Sequence, residues 1–125
     1  MSSLREEIEI LKKEKQAVIL AHYYVPDEVQ EIADYTGDSF YLSKVAKETD
    51  AKILVFAAVS FMGESAKILN PEKKVLLPDP TADCAMAHMA DVEKIKAMKE
   101  SDPELAVVCY INSTAELKRY SDVCV

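Results

Sequence analysis

The sequence predicts an α/β protein, a three-layer αβα sandwich around a short parallel sheet. Two observations predict it. Short, apolar, β-branched runs recur along the chain, each continuous rather than alternating, as suits parallel strands covered on both faces. Helical periodicity fills the intervals, and strands that alternate with helices imply parallel βαβ units.

The elements follow in order. Met1 to Gln16 is charged and reads as a short amphipathic helix with Leu4, Ile8 and Leu11 on one side. Strands are expected at Ala17–Ala21, Lys52–Val59, Lys74–Leu77 and Ala106–Tyr110. Pro26 sits where a first helical turn tolerates it, Val29, Ile32 and Ala33 give that helix an apolar stripe, and Gly37 is placed to end it. Asp38 or Ser39 caps a helix to about Lys47, with Phe40, Leu42 and Val45–Ala46 as its buried side. A further helix runs from about Phe61 to Leu69 and closes at Asn70-Pro71. Another covers Asp91 to Glu100, and the last starts near a cap at Asn112 or Ser113 and ends near Tyr120.

In parallel α/β sheets, ligands sit beyond the carboxyl ends of the strands, at the N-termini of the next helices. His22 to Tyr24, Ser60 to Met62 and Tyr110 to Ser113 all occupy such positions. A weak internal repeat also shows. "AVILAHYY" and "AVVCYINS" are each a strand leading to a polar or aromatic turn and a helix, and "SDVCV" begins a new strand after the second. The chain is expected to stop inside its second α/β unit.

The 125 residues suffice for one compact domain with a real core. There is no apolar run of transmembrane length and no signal-peptide pattern, so a cytoplasmic location is the default. Net charge is −7 with dispersed Lys and Arg, which argues against a nucleic-acid surface. It leaves room for a small anion held by backbone amides. The three cysteines, Cys84, Cys109 and Cys124, include no CxxC pair and do not make a disulfide framework or a self-contained zinc site.

Several side chains carry chemical potential. His22 can serve as acid, base or donor because its ordinary pKa lies near neutrality, or it can be a hydrogen-bonded histidine at a strand end. Tyr23 and Tyr24 alternate across the strand direction, so one shares the site and the other packs; Tyr24, beside the helix start, is the choice for the site. Gly37-Asp38-Ser39 is a turn and helix cap whose hydroxyl and free amides also suit a carboxylate or phosphate. Cys84 lies in the loop "LLPDPTADCAMAH", outside a core position, and can be a thiolate offered to a shared metal centre. Cys109 and Cys124 read as small core residues. His88, four residues after Cys84, makes a weak chelate and reads better as a surface histidine. Tyr110 and Asn112 offer a phenol and a carboxamide to one ligand, or simply end a strand and cap a helix.

Taken in order, "ILAHYY", "IADYTGDS", "FAAVSFMGESAKILNP", "VLLPDPTADC" and "YINSTAELK" with its following "SDV" resemble the quinolinate synthase family, from about residue 16 to the last residue. The resemblance implies three similar α/β domains about a pseudo-threefold axis, here a first domain over residues 1–89 and half of a second over 90–125. It implies a [4Fe-4S] cluster held by one cysteine from each domain, with an open iron. It implies condensation of iminoaspartate with dihydroxyacetone phosphate to quinolinate, in NAD biosynthesis, with a functional link to L-aspartate oxidase or aspartate dehydrogenase. Cys84 is then the first cluster ligand. His22, Ser39, Tyr110, Asn112 and the Ile111 main chain contact substrate, and Tyr24, with His22 and Tyr110, takes part in the acid–base steps. The other two cluster cysteines are expected beyond Val125. The alternative is a non-catalytic α/β module that binds a dicarboxylate or a partner chain. A flavodoxin-like nucleotide site is weakest, since there is no GxGxxG or P-loop and only Gly37 and Gly63 are glycine.

Overall fold

A computed structural model of the protein describes residues 3–125; Met1 and Ser2 of the expected first helix lie outside the described residues. The first helix, α1 (Leu4–Lys15), starts at a capping box in which Ser3 Oγ accepts from Glu6 N–H and the Glu6 carboxylate accepts from Ser3 N–H. It stops at Gln16, which turns left-handed, and the Gln16 carbonyl then accepts from Lys52 N–H at 2.9 Å.

Next come β1 (Ala17–His22), α2 (Asp27–Ile32), β2 (Tyr35–Gly37), α3 (Ser39–Glu48), β3 (Ile53–Ala57), α4 (Ser60–Leu69) and β4 (Lys74–Leu76). The four strands form one parallel sheet in the order β2-β1-β3-β4. The chain first steps outward from β1 to β2, then crosses back to β3 on the other side of β1. The strand ends of β1 and β3 are therefore a topological switch point, where a crevice opens in doubly wound sheets.

One sheet face carries the core. Register pairs Leu20 with Phe56 and Val18 with Leu54, so these side chains share a face. They meet Leu42 and Ala46 of α3 and Phe61, Met62 and Ala66 of α4 in one buried cluster. Each fully buried Leu or Phe there stabilises the fold by about 1.5–3 kcal/mol. Gly63 lets the chain after β4 close on α4: a Cβ at that position would lie 2.8 Å from Leu77 Cδ2. The opposite face is only partly covered, by α1 and α2 against β1, and Ile53, Val55 and Ala57 of β3 stay half-buried.

The rest of the chain contains a 3-10 turn (Ala85–His88), α5 (Val92–Ser101), β5 (Val108–Cys109), α6 (Ala115–Arg119) and β6 (Val123–Cys124). β5 and β6 form a second, two-stranded parallel sheet. It copies the first. Leu20 pairs with Tyr35 and Ala21 with Thr36; Val108 pairs with Val123 and Cys109 with Cys124, a uniform shift of 88 residues. The hydrogen bonds repeat with the same shift. Asp34 N–H donates to Ile19 O and its carboxylate accepts from Ile19 N–H, as Asp122 does with Val107. A lysine of the preceding helix holds each aspartate: Lys12 at 2.8 Å from Asp34, Lys99 at 3.1 Å from Asp122. In this shift His22 corresponds to Tyr110, and Tyr24 to Asn112.

Several expectations are corrected. Gly37 does not end a helix; Ala33 does, and Gly37 closes β2, where a Cβ would clash with Tyr41 Cδ1. Phe40 is 62% exposed rather than buried, because the Asp38 cap, bonded to Tyr41 N–H at 2.8 Å, sets Ser39, Leu42, Ser43 and Ala46 on the inner side of α3. The last helix is capped by Thr114, not by Asn112 or Ser113. Cys124 is exposed, while Cys109 is buried as expected. The strand expected over Lys52–Val59 shortens to Ile53–Ala57, and that over Ala106–Tyr110 to Val108–Cys109.

Candidate functional site

The carboxyl ends of β1 and β3 open into a cavity of about 600 Å³. It runs from the strand ends along the half-covered sheet face beneath α2, so its walls are mainly apolar. His22, Tyr24, Ser39, Cys84 and Asn112 all line it. A second cavity of about 400 Å³ adjoins it, shares Cys84 and Asn112, and takes in Tyr110. The Ile111 side chain faces neither; its N–H donates to Val125 O and its carbonyl accepts from Lys118 Nζ at 2.8 Å.

His22 is the last residue of β1. Its Nδ1 accepts from Tyr24 N–H at 3.2 Å. The neutral ring therefore carries its proton on Nε2, the nitrogen left for a ligand. Burial lowers the His22 pKa, and the Asp38 carboxylate offsets this only in part, so the imidazole is neutral at pH 7. The Tyr24 ring lies tilted beside it, centroids 4.7 Å apart, and Tyr24 is 92% exposed. Tyr24 thus lines the cavity at its solvent-facing edge. Tyr23 is also exposed, so it does not take the packing role expected of it.

Ser39 is the first residue of α3, buried, with its Oγ donating weakly to Met62 Sδ at 3.5 Å. It sits where the helix dipole favours negative charge. Cys84 lies in a loop that folds on itself. Thr81 N–H donates to Asp79 Oδ1, Ser60 N–H donates to Ala82 O, and buried Ala87 anchors the following turn in the core. The Asp83 carboxylate accepts from Cys84 N–H and lies 2.7 Å from His88 Nε2. These bonds, first that from Cys84 N–H and then that from His88, lower the Asp83 pKa. His88 thus pairs with Asp83 and does not chelate with Cys84.

Asn112 carries the most pointed observation. Its Oδ1 is buried and has no hydrogen-bond partner among the described residues. A buried acceptor left unpaired costs about 1–3 kcal/mol, which a ligand donor in the cavity would relieve. Phe61 and Met62, from the strand-end stretch expected to face a ligand, also line the cavity, and so does Asp79, for which the sequence carries no such expectation.

As for a metal, no cluster of three His, Cys, Asp or Glu side chains is arranged to hold one among the described residues. Cys84 is the one thiol on the larger cavity. Its half-buried place at a loop end fits one ligand of a centre completed by other thiolates.

The fold and site define a doubly wound α/β protein with a strand-end site of polar and aromatic groups. A family model described as Quinolinate synthetase A protein matches residues 6–125. A quinolinate synthase of Fusobacterium nucleatum is 61% identical over 122 residues, covering 98% of this chain and 41% of that protein. One from Clostridium perfringens is 60% identical over 121 residues, and one from Clostridioides difficile 55% over 122 residues, each with 40% of its length covered. The chain belongs to the quinolinate synthetase A protein family, and it spans about two fifths of the length of these relatives.

Proposed function

We propose that the chain supplies the first substrate-facing unit of a quinolinate synthase, which condenses iminoaspartate with dihydroxyacetone phosphate to quinolinate, releasing phosphate and two waters, in NAD biosynthesis. Convergence of His22, Tyr24, Ser39, Cys84 and Asn112 on one cavity, with the Asn112 acceptor unpaired, is the observation that carries this reading. The Asn112 Oδ1 takes a donor N–H or O–H of the substrate. The neutral His22 offers Nε2–H to a substrate oxygen and can pass a proton there. Ser39, at the α3 N-terminus, binds a carboxylate or phosphate. Tyr24 closes the rim over the bound molecule, and its phenol exchanges a proton with it. Tyr110 serves the same substrate from the adjoining cavity, and the Ile111 main chain, bonded to Val125 and Lys118, would have to exchange those partners to contact it.

Cys84 is one of three thiolate ligands of a [4Fe-4S] cluster, and the other two come from other parts of the enzyme. When bound, the cluster offers an open iron that acts as a Lewis acid toward a hydroxyl or carbonyl. Residues 1–89 form the first domain and 90–125 the start of a second, a division supported by the 88-residue repeat of register and hydrogen bonds. An L-aspartate oxidase or aspartate dehydrogenase would supply iminoaspartate, and the cytoplasm is the compartment that goes with such chemistry. No helix among the described residues is long and apolar enough to cross a membrane.

The test is a chimaera in which this chain replaces the matching segment of the Fusobacterium nucleatum relative, reconstituted anaerobically with iron and sulfide. The chimaera should bind a cluster and form quinolinate. Cys84→Ala should lose the iron, and Tyr24→Phe should keep it while turning over more slowly. Normal iron content in Cys84→Ala would remove its ligand role, and an unchanged rate in Tyr24→Phe would return that ring to the surface.

A further inference from the structure

Cys109 lines the smaller cavity and Cys124 lines neither of the two, and the fold sets them opposite each other as Cα partners on neighbouring parallel strands. Paired residues on adjacent strands project to the same face, about 4.8 Å apart. A disulfide spans Cα separations of about 4.4–6.8 Å. Both thiols are free; Cys124 is exposed and Cys109 is buried. Lys118 interacts electrostatically with both sulfurs.

We propose that Cys109 and Cys124 form a reversible thiol–disulfide site that a low-molecular-weight disulfide closes. The exposed Cys124 thiolate attacks one sulfur of the small disulfide, forms a mixed disulfide and releases one thiol. Cys109 then attacks the Cys124 sulfur, forms the Cys109–Cys124 bond and releases the second thiol. Two cysteines are oxidised, one small disulfide is reduced to two thiols, and the two cysteine protons end on those thiols. Burial, with neighbouring Cys109, raises the Cys124 pKa despite Lys118, so the exchange speeds up as pH rises and the thiolate fraction grows.

Closure acts on the turn that follows β5. Cys109 Sγ lies 2.8 Å from Ser113 Oγ, and that hydroxyl donates to Tyr110 O at 2.7 Å. Drawing the sulfur toward Cys124 takes a partner from the hydroxyl that holds the turn carrying Tyr110 and Asn112. The thiol–disulfide site stands whether or not the chain serves a quinolinate synthase.

The test exposes the native chain to oxidised glutathione, quenches with acid, alkylates free thiols and digests with trypsin without reduction. The expected product links peptide 100–118 to peptide 120–125, with Cys84 alkylated in the same sample. Dithiothreitol should reverse the link, Cys124→Ser should leave Cys109 a free thiol, and urea should scramble the pairing among all three cysteines. A stable glutathione adduct on Cys124 beside a free Cys109, an equal yield of links to Cys84 in the native chain, or three unmodified thiols would each overturn the proposal.

Discussion

At the scale of single residues, His22 joins structure to pH. Burial lowers its pKa below the ordinary 6.5, with Asp38 opposing. The unfolded chain therefore takes up this proton at higher pH than the folded one. Stability from this group is present above pH 6.5 and is lost as pH falls through the lower folded value. His22→Gln should flatten that part of the curve. Urea midpoints measured across the window for both proteins check it, and parallel curves would show that His22 is solvated like an unfolded histidine. Asn112 shows how far the sequence could be read at this scale. An Asn ahead of a helix looks like a cap. In the fold Ser113 Oγ is committed to Tyr110 O, Thr114 accepts from Leu117 N–H, and the carboxamide oxygen is left for the cavity.

At the scale of elements, the α/β class, the parallel strands and the cap at Asp38 were legible, because continuous apolar runs and a capping residue are local signals. β2 was not. Tyr35–Gly37 is three residues long with a terminal glycine, and the Asp34 contacts to the Ile19 main chain hold it in place. The half-covered sheet face that deepens the cavity was also invisible, since coverage depends on where α2 lies and not on any local pattern. α6 shows the same limit. It has five residues, too few to persist alone, and its Ala115 N–H donates to Glu64 on α4 at 2.7 Å. That bond crosses from the first α/β unit to the second, two residues along α4 from Met62 of the cavity wall. Glu64→Ala should cost about 1 kcal/mol and free the α6 amides to exchange, while Glu64→Gln, which keeps an acceptor, should recover most of that stability. Chemical denaturation with amide exchange over residues 115–119 measures both. An unchanged alanine variant would mean that Thr114 alone caps the helix.

At the scale of the whole molecule, one structural plan is executed twice with unequal support. In both copies a lysine, an aspartate and a strand main chain form the same clamp. The first copy closes over Leu20, Leu54 and Phe56, all fully buried. The second has two-residue strands, with Val108 64% exposed and only Cys109 and Leu117 buried from β5 and α6. Apolar burial sets how much free energy an opening costs, so the second copy should open alone while the first stays shut. Native-state hydrogen exchange should show amides of β5 and β6 exchanging at least about a hundredfold faster than those of β1 and β3, a gap of ~3 kcal/mol. Uniform protection would mean that both sheets melt as one block. The inequality bears on the site, because Asn112 and Tyr110 ride on the weaker copy while His22, Ser39 and Cys84 ride on or next to the stronger. A molecule that bridges Asn112 to the first copy must therefore slow exchange across Tyr110–Ser113 more than across β1. A ligand that protected β1 alone would sit beneath α2 without reaching Asn112, and the unpaired carboxamide would then have no part in binding it.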